Sequence, residues 1–188
     1  MPRRWRWAVG RAGDLKSDKM KVKFMPNVYA ILGDSNTRKS STVRALTGAP
    51  MQYDAWSVAT SPAGNIDVYV QIQALQEAKI NAPDFVKKIA DVDQYRITRG
   101  FSPISDILIP LRILGVNGFP DGTDYLQHFA QMPTPGWNIH QIVVLLGAAA
   151  LPIVSLPAGV LARQIPSYST TMPANLIASH IRGWWNWL

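Results

Sequence analysis

The order of apolar and polar positions divides the chain into short strand-like runs separated by stretches with helical spacing. Val28 to Leu32 is a continuous apolar run that reaches Gly33, so it predicts a buried strand. From Lys39 the spacing turns helical, and Gly48 supplies a stop. Two β-rich runs, Trp56 to Ala59 and Ile66 to Ala74, flank the turn-rich Ser61 to Asn65, which predicts a β-hairpin. In the second run Val68, Val70 and Ile72 alternate with Tyr69, Gln71 and Gln73, giving one apolar face and one that carries amides. Pro83 at a first helical position, with Phe85, Val86, Ile89 and Ala90 behind it, predicts a helix from about Ala82 to Val92.

Further along, Ile107 to Leu114 is short and apolar and ends at Gly115 to Gly118, so it predicts a buried strand despite Pro110. Asp121 to Asp124 then supplies helix-start residues before Tyr125, Leu126, Phe129 and Met132, with Asp124 and Gln127 forming a loose capping box. Another strand is expected at Ile139 to Leu146. Strand, helix and strand with crossovers of this length imply a parallel sheet. The expectation is an α/β three-layer sandwich whose mainly parallel sheet contains one β-hairpin.

Ile142 to Ala162 runs for about 21 residues without a charge, long enough to cross a bilayer. Pro152, Pro157, Gly147 and Gly159, together with the β-branched opening, favour instead a buried strand followed by an apolar loop or short helix. At the C-terminal end Leu176, Ile177, His180, Ile181, Trp184 and Leu188 share a helical stripe beside Trp185 and Trp187. That stripe fits core docking, and its aromatic end also suits a protein partner or membrane surface.

Composition narrows the class of function. The 188 residues are enough for one domain with its own core; 47% are hydrophobic, 16% are charged and the formal charge is +7. A basic balance favours anionic partners such as nucleotides or nucleic acid. Cysteine is absent, which excludes disulfides, thiolate catalysis and cysteine metal sites and makes a reducing cytoplasm the simplest compartment. His128, His140 and His180 show no paired metal-ligand spacing. Residues 1–19 set Trp5 and Trp7 among Arg3, Arg4 and Arg6 and lack the apolar core of a secretory signal. They read as a basic extension ahead of a domain spanning 20–188. Such an extension suits either a flexible solvated tail or an arm that touches phosphates and bases.

The stretch with chemical content is Val28 to Gly48. A loop between a strand and a helix can turn backbone N–H groups toward a phosphate, and the helix start adds its positive dipole end. Gly33 permits the tight turn out of the strand. Lys39 supplies a charge for terminal phosphates, and Ser40 a hydroxyl for a magnesium ion. The stretch resembles the Walker A element of the P-loop NTPases, G-x-x-x-x-G-K-[ST], with Arg38 where the second glycine belongs. A residue there that needs positive φ costs about 1 kcal/mol or more. Its guanidinium can also lie over the phosphates.

The resemblance implies a nucleoside triphosphate, ATP foremost, bound with Mg²⁺ by Gly33, Asp34, Ser35, Asn36, Thr37, Arg38, Lys39, Ser40 and Ser41. It also implies slow hydrolysis or a nucleotide-dependent switch. An acidic metal residue is then required, yet no predicted strand ends in Asp. Glu77, Asp54, Asp67 and Asp106 are the candidates, and Glu77 leads because it follows the strand expected beside the loop. The layout also resembles the small GTPases, with Thr60 about 20 residues beyond Ser40 as a second metal ligand and Gln76-Glu77 after the third strand. No D-x-x-G precedes Gln76 and no N-K-x-D follows, so guanine selectivity is not expected. Two alternatives remain at this level. One is a nucleic-acid-binding or assembly module using the basic loop; the other is a small-molecule kinase with Arg96 or Arg99 as lid residues, although Asp91 and Asp93 nearby favour ordinary surface pairing for these arginines.

Overall fold

The structure, a computed structural model, describes residues 26–48, 56–61, 64, 66–132, 137–145 and 156–185. Ten elements follow one another: β1 (Asn27–Gly33), α1 (Lys39–Thr47), β2 (Trp56–Thr60), β3 (Asp67–Gln71), α2 (Ala82–Thr98), β4 (Asp106–Leu111), α3 (Gly122–Ala130), β5 (Asn138–Leu145), β6 (Leu161–Gln164) and α4 (Ala174–Arg182). The strands form one sheet in the order β2-β3-β4-β1-β5-β6. β2 and β3 pair antiparallel, as expected of a hairpin, and every other neighbouring pair is parallel.

The period of two along β1 explains why helices cover both faces. Val28, Ala30 and Leu32 join a core with Phe85 and Ile89 of α2 and Tyr125, Leu126 and Phe129 of α3. Tyr29 and Ile31 join a second core with Val43 and Leu46 of α1 and Ile177, Ala178 and Ile181 of α4. With neighbours on each side and helices above and below, a central strand has no wet face, so its sequence reads as continuous apolar rather than alternating.

Several boundaries differ from expectation for identifiable reasons. β4 ends at Leu111, because the next residue is an arginine and the chain turns toward Gly115. Pro110 is tolerated since the pairing with β3 stops at Val70↔Leu108, leaving that side of β4 without a ladder to supply. α2 continues to Thr98, past the apolar stripe, as a solvated helical end. α3 is capped by Asp121, whose side chain accepts from the Asp124 N–H at 2.8 Å, in place of the Asp124 and Gln127 box.

The uncharged run from Ile142 enters β5 and later β6, a strand where a loop or short helix was expected; residues 146–155 lie outside the described set. Among the described residues no helix is long and apolar enough to cross a membrane. On α4 the buried stripe is Ile177, Ala178 and Ile181, with Trp185 seated on Tyr29 at 5.0 Å between ring centroids, whereas Leu176 is exposed. Trp187 and Leu188 lie outside the described residues, as do residues 1–19.

Candidate functional site

The loop between β1 and α1 opens at the C-terminal edge of the parallel sheet. Gly33 is close-packed: a Cβ there would lie 2.5 Å from Thr37 Oγ1 and 3.2 Å from the Leu145 carbonyl oxygen. Thr37 cannot simply rotate away, because its hydroxyl donates to the Asp34 carbonyl at 2.7 Å. Gly33→Ala is therefore expected to lower the unfolding free energy by about 2 kcal/mol, the usual cost of overpacking, which urea denaturation would measure.

Two non-glycine residues of the loop are left-handed, Asn36 at φ 63° and Arg38 at φ 70°. Arg38 caps α1 in that conformation with no side-chain bond to the helix start. Its position thus calls for the glycine that the motif usually carries, and a β-carbon there is strained. Of two variants that both lack the guanidinium, Arg38→Gly is expected to be about 1 kcal/mol more stable than Arg38→Ala, again by urea denaturation.

The start of α1 lacks the neutralising groups found on its neighbours. α2 is capped by Asn81 with Asp84 in its first turn, and α3 by Asp121 with Asp124 in its first turn. α1, like α4, has neither a side-chain cap nor a first-turn acid. At α1 the uncapped end faces a cleft of about 260 Å³, lined by Ser35, Asn36, the run 38–41 and Glu77. Uncapped N–H groups facing a cleft are donors available to an anion.

Lys39 is 5% exposed, and its ammonium donates to the Asp34 carbonyl at 2.9 Å. Burial lowers its pKa from the ordinary lysine value; Glu77 opposes this, Arg112 adds to it, and Asp34 opposes it more weakly. The loop is also held from the far end of the chain. Tyr168 donates its hydroxyl to the Thr37 carbonyl at 2.8 Å, and Arg38 Nε donates to the Thr170 carbonyl at 3.3 Å.

Glu77 reaches the cleft from the turn that follows β3, which buried Ala74, Leu75 and Gln76 anchor and which closes through the Ile80 N–H on the Leu75 carbonyl at 2.9 Å. The expectation that β3 lies beside the loop strand is corrected: β4 and β5 flank β1, and β3 is one strand further out. Glu77 arrives because the turn reaches back over the end of β4. Gln76 is not free to orient a water. Its carboxamide donates to the Arg112 carbonyl at 3.0 Å and the Pro120 carbonyl at 3.3 Å and accepts from the Arg112 N–H at 3.1 Å.

The remaining candidates do not join this cluster. Thr60 pairs in register with Asp67 at the opposite end of the sheet, because an antiparallel β2 runs away from the loop edge. That geometry overturns its assignment as a magnesium ligand. Asp67 and Asp106 begin their strands and so also sit at the far edge. Asp54 lies outside the described residues. Arg96 is bound by Asp67 and by the Ser102 carbonyl, and Arg99 lies over the Tyr95 ring, 3.5 Å from its centroid. Arg96 is thus held in a part-buried ion pair and Arg99 in a surface contact, both at the far end, which corrects the lid role.

One residue of the site was not singled out in the sequence. Arg112, just past β4, donates to Ser35 Oγ at 2.7 Å and stands 3.6 Å from Glu77 and 3.9 Å from Asp34. Its signal was a lone charge inside the apolar run Ile107 to Leu114, at the end of a buried strand. Comparison of the chain with protein-family models, with curated proteins and with solved structures gives no match.

Proposed function

We propose that the chain binds a nucleoside triphosphate with Mg²⁺ at the Gly33 to Ser41 loop. The observation that carries this reading is the buried Lys39 ammonium beside the uncapped start of α1, both facing one cleft. A cation largely withdrawn from water, with one backbone acceptor among the described residues, is costly unless an anion arrives to meet its remaining donors. In this reading the loop N–H groups and Lys39 take the phosphates, Arg38 lies along them, and Ser40 with Glu77 supplies oxygen ligands for the metal. Turnover is slow, because Gln76 is locked to the backbone of Arg112 and Pro120 and Glu77 is taken up by the metal.

Calorimetric titration of the chain with Mg²⁺-ATP, and with Mg²⁺-GTP for base preference, tests the proposal. Saturable binding at one site per chain is the expected result. Neither nucleotide binding at millimolar concentration would overturn it.

A further inference from the structure

Around the cleft, Glu77 has a choice of cations. Its charge acts on Lys39, yet its carboxylate stands 3.6 Å from the Arg112 guanidinium, while the lysine donates to a main-chain carbonyl. Arg112 is itself held on two sides. Gln76 grips its backbone N–H and C=O like a strand partner, on the side of β4 that β3 leaves after Val70↔Leu108. Its guanidinium, 18% exposed, also donates to Ser35 of the loop. A guanidinium fixed this way is a pre-organised partner for a carboxylate.

We propose that Arg112 is a positioning residue that draws Glu77 away from Lys39 and so keeps the lysine's open donors available to an incoming polyphosphate. The inference rests on the phosphate-binding reading above. Without Arg112, the cation nearest in effect to Glu77 is the buried Lys39, and a carboxylate settled on that ammonium competes with any phosphate for it. Attraction between such groups is strong where water is scarce. Removing Glu77 as well takes the competitor away, so the second substitution repairs the first.

The test is binding of inorganic tripolyphosphate, and of ATP, both in excess EDTA, so that no metal role of Glu77 enters. Arg112→Gln is expected to weaken binding by about tenfold or more, and Arg112→Lys, which keeps the charge, by less than about threefold. Glu77→Gln alone sets the reference affinity, and the Arg112→Gln/Glu77→Gln pair should match it within about threefold. A double variant as weak as Arg112→Gln alone would overturn the proposal, because Arg112 would then act on the phosphate directly or on the fold. If circular dichroism shows Arg112→Gln unfolded, the double variant, whose two neutral amides can pair, is compared with Glu77→Gln; equal affinities support the proposal and a tenfold deficit sinks it. Wild type and Lys39→Ala equally unable to bind either probe would remove the phosphate-binding reading and this inference together. Tight wild-type binding without the rescue removes only the inference.

Discussion

Lys39→Ala is expected to weaken nucleoside triphosphate binding by roughly a hundredfold while changing the unfolding free energy by less than about 1 kcal/mol. The two effects separate because the lysine side chain is already buried in the folded chain. Removing it deletes a burial cost along with one hydrogen bond to the Asp34 carbonyl, so the folded state loses little. The bound state instead loses a charge-assisted contact, worth about 3 kcal/mol. Titration of wild type and variant with Mg²⁺-ATP, beside urea denaturation of each, measures both quantities.

The same lysine sets a pH dependence whose sign follows from burial. Its folded pKa lies below the ordinary 10.5, so the unfolded chain holds this proton more tightly than the folded one. Lys39 therefore detracts from stability at neutral pH, and the penalty is relieved as pH rises from the folded pKa toward 10.5. Phosphate affinity moves the other way. It is full below the folded pKa and falls as pH rises through it, within the window below 10.5 and earlier than for a solvated lysine. Lys39→Ala should abolish that decline.

Phe85→Ala is expected to lower the unfolding free energy by about 3–5 kcal/mol, the larger effect on stability. Phe85 is 1% exposed and meets three aromatic rings, Tyr69, Phe129 and Trp137, at centroid separations of 5.7, 5.8 and 6.0 Å. Truncation leaves a cavity among rigid rings that cannot collapse into it, and it loses the edge contacts between them. The residue sits in the core under α2 and α3, across the sheet from α1. Nucleotide affinity of the folded fraction is thus expected to match wild type within about twofold, as for well-separated sites. Thermal or urea unfolding with a parallel binding titration gives both readings.

The loop was legible in the sequence because its parts are contiguous. Strand, Gly33, Lys39, Ser40 and helix follow in order, and local backbone geometry alone places them together. Glu77 was legible for a reason that did not survive: β3 does not lie beside β1, and the residue reaches the cleft through its turn. Arg112 of the cleft was illegible, as were Tyr168 and Thr170, which brace the loop. Each touches the loop from 77 or more positions away, and such pairings follow from strand order, which hydrophobic periodicity does not encode. Thr60 failed for the same reason in reverse, since its spacing from Ser40 says nothing about which end of the sheet an antiparallel strand delivers it to.

By itself the sequence determined most of the elements and the burial of the central strands, with β6 the exception. Apolar runs without alternation require strands covered on both faces, and a strand-glycine-lysine-helix succession brings a helix start and a lysine together at one loop. Only the tertiary structure decided that β4 separates β3 from β1. That choice brings Arg112 to the cleft between Ser35 and Glu77 and ties Gln76 to the backbone at Arg112. The physical reason is that periodicity records whether a side chain is buried, while strand order is settled by how whole helices and strands pack, a competition spread over both cores and concentrated in no short stretch of chain.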